Sequence, residues 1–162
     1  MQFSIQRISR NDAIQILNWK YNAPYDFYNN EENEESIKEL LGNSYSIVVD
    51  ENNQLIGFFC IGNSAQVPAG TQYGAYSEKC IDIGLGMRPD LTGQGLGYSF
   101  FSFILSHVQE ADQSVPLRLT VAKFNERAIR LYEKLGFKKR MEFSNGSTVF
   151  LTMVRNMGVH NA

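Results

Sequence analysis

The chain has 162 residues, 43% of them hydrophobic, and a formal net charge of −2. That length suits one domain with a real core, and the near-neutral balance counts against a general nucleic-acid binder. No apolar run is long enough for a membrane span and Met1–Arg10 shows no signal-peptide pattern, so a cytoplasmic protein with no membrane partner is expected. Cys60 and Cys80 lie in apolar strand-like runs with no Cys-x-x-Cys or Cys/His spacing, which predicts two buried thiols and no metal.

Taken in order, Gln2–Ile8 alternates and reads as a first strand. Ser9 and Asp12 have the spacing of a capping box, opening a short helix through Ala13, Ile16 and Leu17 toward Trp19. Trp19–Tyr28 is crowded with aromatics around Pro24 and Asp26. Glu31–Glu35 opens a second helix, with Ile37, Leu40 and Leu41 on its apolar face and Gly42 after it. Tyr45–Val49 and Leu55–Ile61 are strand-like runs joined by a polar turn, a hairpin pattern. Gly62–Lys79 is rich in small and polar residues and reads as a long loop.

Ile81, Ile83, Leu85 and Met87 then alternate with Asp82, Gly84, Gly86 and Arg88, the pattern of a central strand that Pro89 closes. Gly93, Gly95 and Gly97 follow. After them Leu96, Phe100, Phe103, Ile104 and Val108 recur at helical spacing. Glycines between a strand and a helix start let a phosphate approach unpaired backbone N–H groups. The spacing is neither that of a nucleotide-hydrolysing P-loop nor Gly-x-Gly-x-x-Gly. Pro116–Ala122 is a further strand, and Asn125 caps a helix carrying Ala128, Leu131, Tyr132 and Leu135. Phe137–Phe143 and Thr148–Val154 close the chain as a hairpin, where Asn145-Gly146 favours a type I′ turn. Residues 1–155 form one domain, and 156–162 are a tail.

Two of these segments carry a resemblance. Thr92-Gly93-Gln94-Gly95-Leu96-Gly97 resembles the Arg/Gln-x-x-Gly-x-Gly/Ala loop of the GNAT acetyltransferase superfamily, which cradles the pyrophosphate of acetyl-coenzyme A. Asn125–Phe137 resembles that family's Asn-x-x-Ala-x-x-Leu-Tyr-x-x-x-Gly-Phe segment. Thr92 departs from the pattern, standing where Arg or Gln is usual. The resemblance implies an α/β (α+β) GNAT-type fold, with a mixed, mostly antiparallel sheet of about seven strands and about four helices. It implies that Leu85, Gly86 and Met87 hold the pantetheine arm through their backbone. Thr92, Gly93, Gln94, Gly95, Leu96, Gly97 and Tyr98 would cradle the phosphates, and Asn125 and Tyr132 would contact the cofactor.

Acetyl transfer to an amine needs a proton removed, an oxyanion held and a leaving thiolate protonated. By the resemblance Tyr132 is the acid; by spacing alone it is a core tyrosine. Asp82 is a candidate base, with Glu78 and a water chain as alternatives, and a buried hydrogen-bonded carboxylate as the plainer reading. His107 and His160 receive no catalytic role. The aromatic stretch Trp19–Tyr28 falls where the family builds its acceptor wall, and core packing explains it as well. An acetyl-coenzyme A-dependent N-acetyltransferase is expected, acting on a primary amine of a small molecule or peptide by direct transfer in a ternary complex, with a homodimer as the candidate assembly. A non-catalytic coenzyme A-binding module is the alternative. A nucleotide-dependent oxidoreductase is disfavoured by the missing Gly-x-Gly-x-x-Gly.

Overall fold

A computed structural model describes residues 1–42 and 44–156; the rest of the expected tail, residues 157–162 with His160, lies outside the described residues. Seven strands stand in the order β1-β2-β3-β4-β5-β7-β6. They are β1 Ser4–Arg7, β2 Tyr45–Val49, β3 Leu55–Ile61, β4 Ile81–Met87, β5 Leu117–Ala122, β6 Lys138–Ser144 and β7 Val149–Arg155. The α-helices among the described residues are α1 Arg10–Leu17, α2 Glu34–Leu40, α3 Gly97–Ala111 and α4 Glu126–Lys134. The β4–β5 pairing is parallel and the β1–β2, β2–β3, β5–β7 and β6–β7 pairings are antiparallel, so the sheet is mixed and mostly antiparallel, as expected.

The backbone divides into two compact units. One comprises Met1–Cys60 with Leu85–Phe100. In it the Ser9–Asp12 capping box starts α1 as the spacing required, a motif worth about 1 kcal/mol. Asn33, rather than the glutamates before it, caps α2 by accepting the Ser36 N–H, so that helix begins later than its charge pattern implied. Between β2 and β3, Asp50 Oδ1 accepts the N–H groups of Asn52 and Gln54, and Asn53 takes a left-handed φ of 62°. Ala13, Ile16, Leu17, Trp19, Ile37, Leu40, Ile47, Val49 and Leu55 pack into one core cluster.

The other unit comprises Ile61–Gly84 and the chain from Phe101 onward. Here 62–79 connects β3 to β4 as the long loop expected, with local order of its own. It folds as two 3-10 turns, Gly62–Ala65 and Pro68–Tyr73. The reason is tertiary. Gly70 lies so close to the rings of Phe143 and Tyr76 that a Cβ there would come within 2.8 and 2.9 Å of them. The Tyr76 hydroxyl accepts the Val67 N–H at 2.8 Å and shares a hydrogen bond with Thr120 Oγ1. The β6–β7 connection is not the expected two-residue type I′ turn. Asn145 Oδ1 accepts the N–H groups of Ser147 and Thr148, and Gly146 takes a φ of 100° in a four-residue loop. Cys60 is buried as expected, whereas Cys80 is half-buried, with its thiol pushed up by burial.

Candidate functional site

The end of β4 and the turn after it belong to the first unit, and their shape follows from a few side chains. The Arg88 N–H donates to Ile56 O at 2.8 Å, fixing β4 against β3. Its guanidinium donates to Leu55 O at 3.0 Å and to both Asp90 oxygens, at 2.6 and 3.3 Å. That hydrogen bond from Arg88 holds the Asp90 carboxyl below its ordinary range. Two side chains then fold back onto the turn Pro89–Leu91. Thr92 Oγ1 donates to Pro89 O at 2.7 Å, and Gln94 Nε2 donates to Asp90 O at 2.6 Å.

The turn is thus braced by its own side chains. Thr92, at the position where the resemblance led us to expect Arg or Gln, spends its hydroxyl on the backbone. Gly93 and Gly95 take φ of 74° and 79°, conformations that cost L side chains about 1–2 kcal/mol. Nothing lies within 4 Å of where a Gly95 Cβ would stand, so the space over that glycine is open. The helical ladder begins with Phe100 N–H donating to Leu96 O. The amides of Gly97, Tyr98 and Ser99 therefore precede the ladder, at the positive end of α3. Gly93, Gln94, Gly95 and Tyr98 are exposed, and Leu96 and Gly97 half-buried. A diphosphate fits this arrangement through backbone donors.

Just before the turn, Leu85, Gly86 and Met87 are half-buried. Gly86 is needed for a close approach: a Cβ there would sit 2.4 Å from the Phe58 ring. Trp19 leans on that ring at 6.1 Å, and Tyr45 at 6.2 Å. The Tyr21 hydroxyl donates to Met87 O at 2.7 Å. The aromatic stretch therefore divides. Trp19 is core, 8% exposed, while Phe27, in a 3-10 turn with Tyr28, is 45% exposed. Tyr21 is the residue whose position the sequence did not reveal; it stood among five similar rings.

The second unit holds the other candidates. Asn125 caps α4, its Oδ1 accepting the Ala128 N–H at 3.1 Å. Tyr132 is half-buried, with its ring edge-on to Phe101 at 5.3 Å and Phe137 at 6.3 Å. Asp82 is 4% exposed. Its Oδ1 accepts Arg118 Nε at 2.6 Å, and its Oδ2 accepts Arg118 Nη2 at 2.8 Å and Gln66 Nε2 at 2.9 Å. Arg118 is 2% exposed and also donates to Glu78 O, and its guanidinium lies 5.0 Å from the Tyr76 ring centre. The hydrogen bond to Asp82 holds the Arg118 guanidinium above its ordinary value. Glu78 pairs at 3.6 Å with Arg140 and is 44% exposed. Arg118 went unremarked in the sequence, although an Asp after Ile81 and an Arg after Leu117, each inside an apolar strand, are the signal of a buried pair. Among the described residues no cluster of His, Cys, Asp or Glu could hold a metal, and no helix is long and apolar enough to cross a membrane.

Comparison with known proteins supplies the rest. The family model of the Acetyltransferase (GNAT) family matches residues 11–137. No curated protein sequence matches the chain. Among solved structures, a spermidine N-acetyltransferase chimera from Vibrio cholerae and hSSAT is 21% identical, with 96% of each chain covered and a TM-score of 0.68. Mutant forms of the spermidine/spermine N-acetyltransferase of Vibrio cholerae are 22% identical, covering 94% of this chain and 93% of theirs, with a TM-score of 0.64. A Bacillus halodurans protein is 16% identical, covering 95% of this chain and 83% of its own, with a TM-score of 0.74. At these identities the likeness is one of fold.

Proposed function

The chain belongs to the acetyltransferase (GNAT) family, and from that premise we propose that it is an N-acetyltransferase, moving an acetyl group from acetyl-coenzyme A to a primary amine by direct transfer in a ternary complex. The observation that carries the cofactor reading is the braced glycine turn: left-handed Gly93 and Gly95, open space over Gly95, and the first amides of α3 beyond them. Bound acetyl-coenzyme A would supply an activated acetyl thioester.

In this reading Thr92–Tyr98 hold the diphosphate through backbone N–H groups, and Leu85, Gly86 and Met87 hold the pantetheine arm through their backbone groups. Asn125 contributes to cofactor contact while capping α4. Tyr132 holds a proton at Oη for the leaving thiolate, a role that suits a phenol, whose hydroxyl is a donor. Asp82 could serve as base only by giving up a bond from Arg118 or Gln66. We therefore assign the ammonium proton to water, and to Asp82 the holding of Arg118.

For the acceptor, a small primary amine is favoured over a peptide. In the aromatic segment Trp19–Tyr28 the Phe27 ring is exposed and Asp26 precedes it, a combination that suits a cation. Two of the similar structures are forms of a spermidine or spermidine/spermine N-acetyltransferase, which supports the same reading. The test follows thiol release from acetyl-coenzyme A across a panel of small amines, spermidine included, and N-terminal peptides. Turnover of small amines is expected. Turnover of peptides alone would overturn the small-molecule assignment. Tight acetyl-coenzyme A binding with no turnover would replace the enzyme by a binding module, and no binding at millimolar concentration would end both readings.

A further inference from the structure

The segment between β3 and β4 carries one side chain that other groups aim. Its backbone is held on both sides. The Gln66 N–H donates to Asn63 O at 3.1 Å, and the Val67 N–H donates to the Tyr76 hydroxyl at 2.8 Å. That hydroxyl is tied in turn to Thr120 Oγ1 at 2.8 Å. The side chain then reaches the strand, where Gln66 Nε2 donates to Asp82 Oδ2 at 2.9 Å. Asp82 is not free to turn away. Arg118 holds both of its oxygens, and Arg118 is itself fixed by Glu78 O at 2.9 Å and against the Tyr76 ring.

These contacts decide which end of the Gln66 amide faces outward. A carboxylate gripped by a guanidinium only accepts hydrogen bonds, so the amide turns its NH2 to Asp82. Oε1, on the same carbon, is thereby turned away from it. Among the described residues no group donates to that oxygen, and it is not sealed from solvent. Gln66 is half-buried. An acceptor oxygen is thus held in one orientation before any ligand arrives, the condition under which a single hydrogen bond discriminates between ligands.

Strand β4 relates that oxygen to the chemistry. Asp82 and Gly84 share one face of it, and Gly84 has no side chain. On that face β4 therefore sets no side chain between the carboxylate that aims Gln66 and Leu85, three residues or about 10 Å further on. Leu85 begins the stretch assigned above to the pantetheine arm.

We propose that Gln66 is a specificity-determining residue for the acceptor, its Oε1 accepting an N–H from a second amino group, so that the substrates are aliphatic amines carrying two amino groups or more. The proposal rests on the acetyl-coenzyme A reading of β4 and deepens the small-amine reading above. The reacting nitrogen lies at the thioester and the second one further back along the strand, a span that a short aliphatic chain bridges. Of the Asp82–Arg118 pair, the carboxylate is the member that Gln66 touches, which suits a positively charged donor.

The experiment measures kcat/KM with acetyl-coenzyme A for putrescine and cadaverine against butylamine and pentylamine, which have the same carbon chains and lack the second nitrogen. The proteins are the wild type, Gln66→Met and Gln66→Asn. The wild type should prefer each diamine to its monoamine by about tenfold or more, the factor that a hydrogen bond to a charged group represents. Gln66→Met keeps the length of the side chain and removes the amide, and there the preference should fall about tenfold, most of it in KM. Gln66→Asn, whose amide is one methylene short, should fall between. A residue that only braced Asp82 would lower diamine and monoamine turnover in the same proportion, and a preference left unchanged in Gln66→Met overturns the proposal. Equal turnover of diamines and monoamines by the wild type overturns it as well, whatever the variants do. Turnover of N-terminal peptides alone, or no binding of acetyl-coenzyme A, would instead sink the reading on which the proposal rests.

Discussion

The guanidinium of Arg118 grips both carboxylate oxygens of Asp82, with Nε at 2.6 Å and Nη2 at 2.8 Å, across the parallel register that sets these two residues side by side. Removing one partner leaves a buried charge without compensation, which costs about 3–5 kcal/mol, whereas removing both is often nearly neutral. Asp82→Leu and Arg118→Met are each expected to destabilise strongly, and the double variant by less than the sum. Urea unfolding of the four proteins gives the coupling energy. Additive effects would show that the pair contributes no more than its separate contacts.

Gln94 braces the glycine turn from within. Gln94→Glu keeps the shape, removes the donor to Asp90 O and sets a negative charge beside the proposed diphosphate. Acetyl-coenzyme A affinity should fall about tenfold or more, corresponding to ~1.4 kcal/mol. Gln94→Ala, which removes the bond without adding charge, should fall less. Titration calorimetry decides; unchanged affinity in both variants would mean that the side chain at 94 has no part in shaping the cradle.

Tyr132→Phe keeps the ring that packs on Phe101 and Phe137 and deletes the hydroxyl alone. If that hydroxyl is the acid, the single-turnover rate should drop by about 10²-fold. Cofactor affinity and melting temperature should stay close to wild type. A wild-type chemical step would return Tyr132 to a packing role.

Gly57 faces the strand that carries the proposed thioester arm. A Cβ at that position would lie 2.5 Å from Gly86 O and 2.5 Å from the Phe100 ring. Backbone and a fully buried ring both have to move, so Gly57→Ala is expected to destabilise by about 1–3 kcal/mol. Thermal or urea unfolding measures it. Wild-type stability would mean that β3 and β4 separate more easily than their close packing implies.

Much of this protein was local information. The strand-like runs Tyr45–Val49 and Leu55–Ile61 and the alternation from Ile81 toward Pro89 marked three strands, because local pattern decides which side chains share a sheet face. Ser9 with Asp12, and Asn125 before α4, announced helix starts because a cap bonds within three residues of itself. The glycine turn could be read for the same reason. Positive φ and a helix N-terminus are properties of a few consecutive residues.

Other features depended on partners far along the chain. Asp82 read both as a candidate base and as a buried hydrogen-bonded carboxylate, and only the pairing of β4 with β5 sets Arg118 beside it, 36 residues away. The segment 62–79 read as a long loop, and only the tertiary structure shows it pinned by Tyr76 on Thr120 and by Gly70 under Phe143. Tyr21 was one aromatic among several until its hydroxyl met Met87 O. A side chain's pattern fixes the face it occupies, but strand order and register fix which distant group waits there. Whether a carboxylate is free or clamped, or a phenol packs or tethers, is therefore decided only when the sheet assembles.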